Sequence, residues 1–177
     1  MKIILNNRDL SKILEPFNDI GFVPTMGGIH EGHISLIKRS IKSNKKTIVS
    51  IFVNPKQFNN VKDFNSYPTN IKKDLAILRR IKKLDFVYIP KFEDVYESNR
   101  KSRVKIEKKY RILCAKYRKG HFEGVLDVMN RLTKLIKPNK IFMGEKDFQQ
   151  FFLVKKFIEN KFNTKVIGCK TIRNRNK

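Results

Sequence analysis

Apolar residues follow two alternating patterns along this chain. Short runs rich in β-branched and aromatic residues, such as 46–53, are typical of buried parallel strands. Between the runs, apolar residues recur every three or four positions, which is the spacing of a buried helix face. The runs predict strands at about 20–24, 46–53, 85–89, 140–143 and 163–169. The helical spacing predicts helices at about 8–16, 32–44, 70–83, 118–136 and 148–160. The order of these elements predicts an open α/β sheet with parallel strands.

Two stretches fit this alternation less well. Residues 59–69 are polar and predict a loop. Within 91–111, residues 103–106 alternate as an edge strand does, and residues 108–113 are compatible with a helical turn. No internal repeat or low-complexity linker interrupts the chain, so the pattern predicts one domain over 1–177.

A glycine-rich turn with two histidines follows the first long strand. It contains Gly27, Gly28, His30, Gly32 and His33. A turn from a strand into a helix aims backbone N–H groups and the helix dipole at one point, which suits a phosphate. The glycines let the backbone approach closely, and the imidazoles stand where charge on a phosphate would develop. The turn therefore predicts a nucleotide site.

Two other interpretations of this turn stay open. A glycine-rich connection by itself is compatible with a tight turn that binds nothing. His30 and His33 are also candidate zinc ligands, but their spacing is one residue short of the i, i+4 pair in metalloprotease helices. Because the whole chain has only 3 histidines, finding two of them in one turn favours a functional role.

The next strand and a second turn extend this site. Asn54 and Gln57 directly follow the strand at 46–53, so they are expected at the carboxyl edge of the sheet, where ligands bind in open α/β folds. The turn at 144–147 repeats the order of strand, glycine, charged residues and helix, and Lys146 would face phosphate oxygens as a point charge. The alternative is that these charges only cap the helix that follows.

Composition narrows the class of protein. The chain has 177 residues, 40% of them hydrophobic, with 14 phenylalanines, which is enough for one sizeable core and argues against disorder.

Cys114 and Cys169 lie far apart without metal-site spacing, and we expect packed, reduced thiols. No stretch approaches the length of a membrane span and the first residues lack a signal-peptide pattern. We therefore expect a soluble, cytoplasmic protein with no membrane partner.

The formal net charge of +24 raises a different possibility, a nucleic-acid-binding module. The lysines are nevertheless spread over nearly every segment, and no long basic block is present. Such a spread, together with many Ile and Asn residues, is what an A+T-rich coding sequence produces. We expect no specific nucleic-acid partner, only weak binding of anionic polymers or lipids.

The motifs together resemble one family. Residues 24–33 (PTMGGIHEGH), 50–58 (SIFVNPKQF), 121–125 (HFEGV) and 144–150 (GEKDFQQ) resemble the motifs of the pantothenate synthetases, or pantoate:β-alanine ligases. Tyr67-Pro68 and Thr171-Ile172-Arg173 extend the resemblance over nearly the whole chain. It implies the Rossmann-like fold of the nucleotidyltransferases with a HIGH motif: a doubly wound parallel sheet with helices on both faces.

The resemblance also implies a two-step reaction. The carboxylate of pantoate attacks the α-phosphate of ATP, giving pantoyl adenylate and pyrophosphate, and β-alanine then displaces AMP to give pantothenate. ATP, with Mg²⁺ held chiefly on its phosphates, is the implied cofactor, and a homodimer is the implied assembly. The alternatives are another adenylyltransferase of the same superfamily and the nucleic-acid-binding module.

Site residues follow from the matched motifs. The resemblance assigns catalytic roles to His30, His33 and Lys146, with His33 as the acid donor. ATP contacts are implied for Met26, Gly27, Gly28, Ile29, His30, Glu31, Gly32, His33, Gly144, Glu145, Lys146, Asp147 and Ile172. Pantoate or β-alanine contacts are implied for Gln57 and Gln150, and at the wall of the site for Asn54, Tyr67 and Arg118. Asp74 matches a family carboxylate near the metal.

One part of the family pattern is not in the sequence. In the family, a Ser-Ser-Arg-Asn motif that holds the ATP phosphates follows the Thr-x-Arg segment, and a small C-terminal lid domain comes after it. Neither is present before Lys177. Because losing one preorganised phosphate donor commonly lowers the rate by about 10²–10³, we expect the 177-residue chain to bind ATP weakly and to ligate poorly.

Overall fold

A six-stranded parallel sheet forms the centre of the protein. The computed structural model describes residues 1–96 and 104–172. The strands are β1 (Lys2–Ile4), β2 (Ile20–Thr25), β3 (Lys46–Ile51), β4 (Phe86–Tyr88), β5 (Lys140–Gly144) and β6 (Lys165–Cys169). Every observed pairing is parallel, which requires crossover connections through helices.

The strand order is β1-β4-β3-β2-β5-β6. From β2 the chain proceeds through β3 and β4 in one direction, and later through β5 and β6 in the other. The direction therefore reverses between β2 and β5, which pair through Gly21 with Lys140 and Phe22 with Ile141. This topological switch point leaves a crevice at the carboxyl ends of the two strands, the place where open α/β sheets bind ligands. The predicted doubly wound fold is confirmed.

Helices cover both faces of the sheet. They are α1 (Asn7–Leu14), α2 (Glu31–Ser43), α3 (Val61–Asn65), α4 (Ile71–Arg79), α5 (Phe92–Val95), α6 (Cys114–Tyr117), α7 (His121–Ile136) and α8 (Phe148–Glu159). Three 3-10 turns, Pro55–Gln57, Lys108–Tyr110 and Glu145–Asp147, lie between them. None of the helices in the described part of the chain has both the length and the apolar character to cross a bilayer.

Side chains of β2 show how a hydrophobic core forms on each face of the sheet. Ile20 and Phe22 pack into one hydrophobic core with residues of α1, α7 and α8, whereas Val23 packs into a second core with residues of α2 and α4. Successive strand side chains point to opposite faces, so a continuous apolar run serves both cores. Gly21 allows α2 to approach the sheet, because a Cβ there would lie 2.2 Å from Ser40 Oγ.

Several local predictions differ from the structure. Strand β1 was not predicted, because three residues are too few to show a period. The predicted loop at 59–69 contains α3, which Asn60 caps through its side chain. Residues 104–106 form no strand, and residue 103 lies outside the described residues. The helix predicted from residue 118 begins at His121.

The two cysteines also differ from each other. Cys169 is buried and unpaired, as predicted. Cys114 is exposed rather than packed, because it begins the short helix α6 on the surface.

Candidate active site

A cavity of about 670 Å³ opens at the carboxyl ends of β2, β3 and β5. Residues from the motifs at 24–33, 50–58, 67–68, 121–125 and 144–150 line this cavity. The predicted site residues that line it are Met26, Gly27, His30, His33, Asn54, Gln57, Tyr67, Arg118, Lys146, Asp147 and Gln150. The other predicted residues, Gly28, Ile29, Glu31, Gly32, Asp74, Gly144, Glu145 and Ile172, are not among its lining residues. The topology thus brings distant parts of the sequence to one site.

The glycine-rich turn after β2 is held by its own hydrogen bonds. Gly27 and Gly28 have left-handed φ angles of 87° and 64°. The N–H of Gly28 donates to Asp74 Oδ2 at 3.0 Å, and the N–H of Ile29 donates to Asp74 Oδ1 at 2.8 Å. Gly27 N–H donates to Thr25 Oγ1 at 3.2 Å. Protein acceptors thus engage the backbone N–H groups of Gly27, Gly28 and Ile29 in this structure, and phosphate binding by this turn stays a prediction.

Asp74 fixes the turn from the neighbouring helix α4. Its side chain is buried, and it accepts the two backbone hydrogen bonds. Charge-assisted hydrogen bonds of this kind hold a loop more firmly than neutral ones do. Asp74 thus acts as an anchor of the turn in this structure.

His30 caps the N-terminus of α2. Its Nδ1 accepts a hydrogen bond from the N–H of Gly32 at 3.0 Å, an arrangement that replaces a conventional cap from Ser or Asp. Because Nδ1 accepts, the ring carries its proton on Nε2. The capping bond leaves Nε2–H as a potential donor, and the side chain lines the cavity.

His33 lies one helical turn further along, beside His30. The two ring centroids are 4.1 Å apart. Burial, and secondly the neighbouring His30 imidazole, lower the pKa of His33 to about 4, although the nearby Asp74 carboxylate acts in the opposite direction. Its Nδ1 is buried without a hydrogen-bond partner among the described residues. His33 is therefore a neutral imidazole at pH 7.

Gln57 presents an amide to the same cavity. Its Nε2 contacts Met26 Sδ at 3.0 Å, and its Oε1 accepts from Asn54 Nδ2 at 3.3 Å. A thioether is a weak acceptor, so the Gln57 N–H groups have little competition for an incoming carboxylate or hydroxyl.

Gly124 makes the approach of α7 to Gln57 possible. A Cβ at Gly124 would lie 2.2 Å from the backbone oxygen of Lys56 and 2.8 Å from Gln57 Cα. A real Cβ cannot come so close, so only glycine permits this packing.

His121 was not among the predicted site residues. It is buried at the start of α7, lines the cavity, and its Nδ1–H donates to the backbone oxygen of Gln57 at 2.7 Å. Burial is the largest cause that lowers its pKa. Two features of the sequence could have identified His121 as a site residue: the chain has only 3 histidines, and this one lies within a matched motif.

The turn after β5 brings charged groups to the opposite side of the cavity. Lys146 and Asp147 are exposed in the 3-10 turn, and both line the cavity. Lys146 makes no ion pair with any residue in the described ranges. Gln150, one turn into α8, also reaches the cavity, whereas Gln149 donates to the backbone oxygens of Tyr110 and Ile112.

Tyr67 and Arg118 complete the wall. Tyr67 packs edge-on against Phe58, with ring centroids 5.6 Å apart. Burial, followed by the charge of Asp74, raises the pKa of Tyr67. Arg118 is exposed at the end of α6. Its guanidinium supplies a further positive group at the cavity edge.

A protein-held magnesium site does not fit these side chains. Among residues 1–96 and 104–172, no group of three or more His, Cys, Asp or Glu side chains is arranged to hold a metal ion. Asp74, the one predicted ligand, is buried and already accepts two hydrogen bonds. We therefore assign no step to a metal held by these residues.

The fold and cavity define a Rossmann-like domain with its ligand crevice at the switch point of a doubly wound sheet. The family model described as pantoate-beta-alanine ligase matches residues 2–177. The chain belongs to this family. It is 41% identical over 177 residues to a pantothenate synthetase of Pseudothermotoga lettingae, covering 98% of this chain and 63% of that protein. The corresponding protein of Flavobacterium psychrophilum is 40% identical over 187 residues, with 99% of this chain and 64% of that protein covered.

Solved structures agree with this assignment. The pantoate-beta-alanine ligase of Francisella tularensis, complexed with beta-gamma ATP and beta-alanine, superposes with a TM-score of 0.94 at 40% identity. The match covers 99% of this chain and 69% of that one. Pantothenate synthetase of Thermus thermophilus gives a TM-score of 0.92 at 34% identity, covering 98% of this chain and 63% of that one. The chain therefore spans 63% to 64% of the length of the first two relatives.

Proposed function

We propose that this chain carries out ATP-dependent ligation of pantoate and β-alanine to pantothenate. The observation that supports the proposal is one cavity whose lining includes His30, His33, Lys146, Gln57 and Gln150, which follow the ends of three strands. The complex of the Francisella tularensis ligase with an ATP compound and beta-alanine supports the same ligand classes. The reaction needs these two kinds of group, cations for phosphate charge and amides for a carboxylate.

In the first step, a carboxylate oxygen of pantoate attacks the α-phosphorus of ATP. The bond between the α-phosphorus and the bridging oxygen to the β-phosphate breaks, and pyrophosphate leaves with that electron pair. Lys146 stabilises the charge that develops on the phosphates, and His30 donates from Nε2–H. His33 has a pKa of about 4, and the negative phosphates of ATP would raise that pKa toward protonation.

In the second step, the amine of β-alanine attacks the acyl carbon of pantoyl adenylate. The bond from that carbon to the phosphate oxygen breaks, AMP leaves with that electron pair, and the proton that the amine nitrogen loses passes to solvent. Gln57 and Gln150 bind the carboxylate and hydroxyl groups of pantoate, and Tyr67 and Arg118 form the wall. Asn54 positions Gln57, since its own amide is occupied by protein groups.

The remaining parts of the proposal concern ATP, the metal and the assembly. Met26 and Gly27 contact ATP along the cavity wall, and Asp147 contacts its ribose. Gly28, Ile29, Glu31 and Gly32 contribute by shaping the first turn, Gly144 and Glu145 by shaping the second, and Ile172 contacts adenine through its backbone. Mg²⁺ accompanies ATP on its phosphate oxygens. The protein acts as a homodimer in the cytoplasm, where its two unpaired cysteines stay reduced.

The test is to incubate the 177-residue chain with ATP, pantoate and β-alanine and to measure AMP and pantothenate by mass spectrometry. We expect slow turnover that gives equal amounts of the two products, depends on both pantoate and β-alanine, and is lost in H33A. Pantoate-dependent exchange of pyrophosphate into ATP tests the first step alone. Release of AMP without pantothenate, or transfer of AMP to another acceptor, would contradict the proposal.

A further inference from the structure

Tyr96 lies behind the cavity and is connected to it through hydrogen bonds. It follows the last residue of α5, is 4% exposed, and is not one of the cavity's lining residues. Its hydroxyl lies 2.9 Å from Asn54 Oδ1. Because an amide oxygen only accepts, the hydroxyl of Tyr96 is the donor. Within the described residues, this hydrogen bond is the polar contact that connects Tyr96 to the cavity. Phe52, which lines the cavity, is an apolar neighbour with its ring centroid 6.4 Å from that of Tyr96.

The orientation of the Asn54 amide is fixed by four contacts. Oδ1 accepts from the Tyr96 hydroxyl and from the backbone N–H of Lys56, at 2.9 and 3.2 Å. Nδ2 donates to the backbone oxygen of Gly124 at 3.1 Å and to Gln57 Oε1 at 3.3 Å. A flipped amide would face the Lys56 N–H with a second donor and the Gly124 carbonyl with a second acceptor. Asn54 thus has one satisfactory orientation.

This orientation determines which end of the Gln57 amide faces the cavity. Because Asn54 offers a donor to Gln57, the Gln57 oxygen turns toward Asn54. The Nε2 group then turns away, toward Met26 Sδ. Gln57 is consequently held as a hydrogen-bond donor toward the cavity, the polarity that a carboxylate ligand requires.

The ring of Tyr96 is held firmly enough to act in this way. Lys56 Nζ lies 3.9 Å and the Arg131 guanidinium carbon 4.6 Å from the ring centroid, both within cation–π range. Phe92 stacks on the same ring at 4.8 Å. Burial, followed by the charge of Asp127, raises the pKa of Tyr96, so its hydroxyl keeps the donated proton at physiological pH.

We propose that Tyr96 is a positioning residue for the carboxylate substrate: acting through Asn54, it holds Gln57 with its amide N–H groups toward the cavity. The inference rests on the proposed function for the identity of that substrate, pantoate. It assigns to a residue outside the cavity a specific effect on one of the three substrates.

The test is the variant Y96F, which removes only the hydroxyl and keeps the ring with its neighbours. Affinities of the 177-residue chain for pantoate and for ATP are measured separately by isothermal titration calorimetry. We expect pantoate to bind roughly five- to tenfold more weakly, the effect of about one net hydrogen bond, and ATP affinity to stay within about twofold.

Y88F is the matched control. Tyr88 is also buried and its hydroxyl donates to Asn7, but it does not line the cavity or contact Asn54. Both variants lose a buried hydroxyl, so a general loss of stability would affect them equally. We expect Y88F to bind pantoate as the parent does.

A double-variant comparison tests the route of the effect. If Tyr96 acts through Gln57, adding Y96F to Q57A changes pantoate affinity by less than about twofold, because the group being positioned is gone. A full additive effect in the Q57A background would overturn the inference, as would equal losses in Y96F and Y88F. If the parent protein and Y96F bind pantoate equally well, that result overturns this inference and leaves the proposed function standing. A parent that does not bind pantoate overturns the proposed function too.

Discussion

The two glycine-containing turns that face the cavity look alike in sequence and differ in structure. The first, Gly27 to His30, is tied by internal hydrogen bonds, and buried Asp74 accepts two of its backbone N–H groups. The second, Glu145–Asp147, has no side-chain cap and exposes its charged residues to solvent. One turn is a hydrogen-bonded framework that presents imidazoles, whereas the other presents Lys146, a cation with no ion pair among residues 1–96 and 104–172.

The difference divides the work of the site between shape and charge. A preorganised turn positions His30 and His33 at little further entropic expense when a ligand arrives. Lys146, in contrast, is a compact charge on a flexible stem, which under the proposed function would follow the ATP phosphates. Substitutions that break the hydrogen bonds of the first turn should therefore change stability, and substitution of Lys146 in the second should change activity.

The largest expected effect is that of K146A on turnover. Removing the cation should lower the rate of pantoate-dependent AMP release by about 10²–10³, because charge on the phosphates loses its stabilising partner. The urea midpoint should stay unchanged. K42A, which removes an exposed lysine from the last turn of α2, serves as the control, and equal losses in the two variants would show that the effect is only general charge.

In contrast to K146A, D74A should act mainly on stability. It leaves the N–H groups of Gly28 and Ile29 without acceptors, which we expect to lower the free energy of unfolding by about 2–3 kcal/mol. D147A, in the second turn, should change it by less than about 0.5 kcal/mol. Urea denaturation measures both. Similar stabilities of the two variants would mean that the turns do not differ as described.

Two alanine substitutions compare the glycines directly. G27A places a Cβ at a φ of 87° and 2.9 Å from Asp74 Oδ2, and we expect a loss of about 2 kcal/mol. G144A has a φ of −74° and open space around the added Cβ, so it should be nearly neutral. Thermal unfolding of both proteins measures the difference. A neutral G27A would contradict the rigidity of the first turn.

The smallest expected effect is a pH dependence from His33. Its folded-state pKa of about 4 lies below the ordinary value of 6.5, so the unfolded chain binds the proton more readily. The stabilising contribution of neutral His33 is complete above pH 6.5 and declines as pH falls toward 4. At pH 5.5 the loss is about 1 kcal/mol. H33Q should have a shallower decline in urea midpoint between pH 7 and pH 5, and identical slopes would refute this contribution.

Most of the fold could be predicted because its strands are long apolar runs. Strands β2, β3, β5 and β6 were predicted within a few residues, since a strand buried on both faces needs continuous apolar residues. Strand β1 is too short for this signal, and α3 depends on a local cap at Asn60. The predicted family is confirmed by the match over residues 2–177.

The sequence by itself determined which chemical groups the site contains: the histidines of the first turn, Lys146 of the second, and the glutamines that follow the strands. Their spacing along the chain and their motifs were enough to indicate one site. Only the tertiary structure decided how those groups are held. The backbone N–H groups of Gly28 and Ile29 face Asp74 instead of the cavity, and Tyr96 orients Asn54. Hydrogen bonds between residues 42 or more positions apart depend on the packing of whole elements, and no local pattern encodes them.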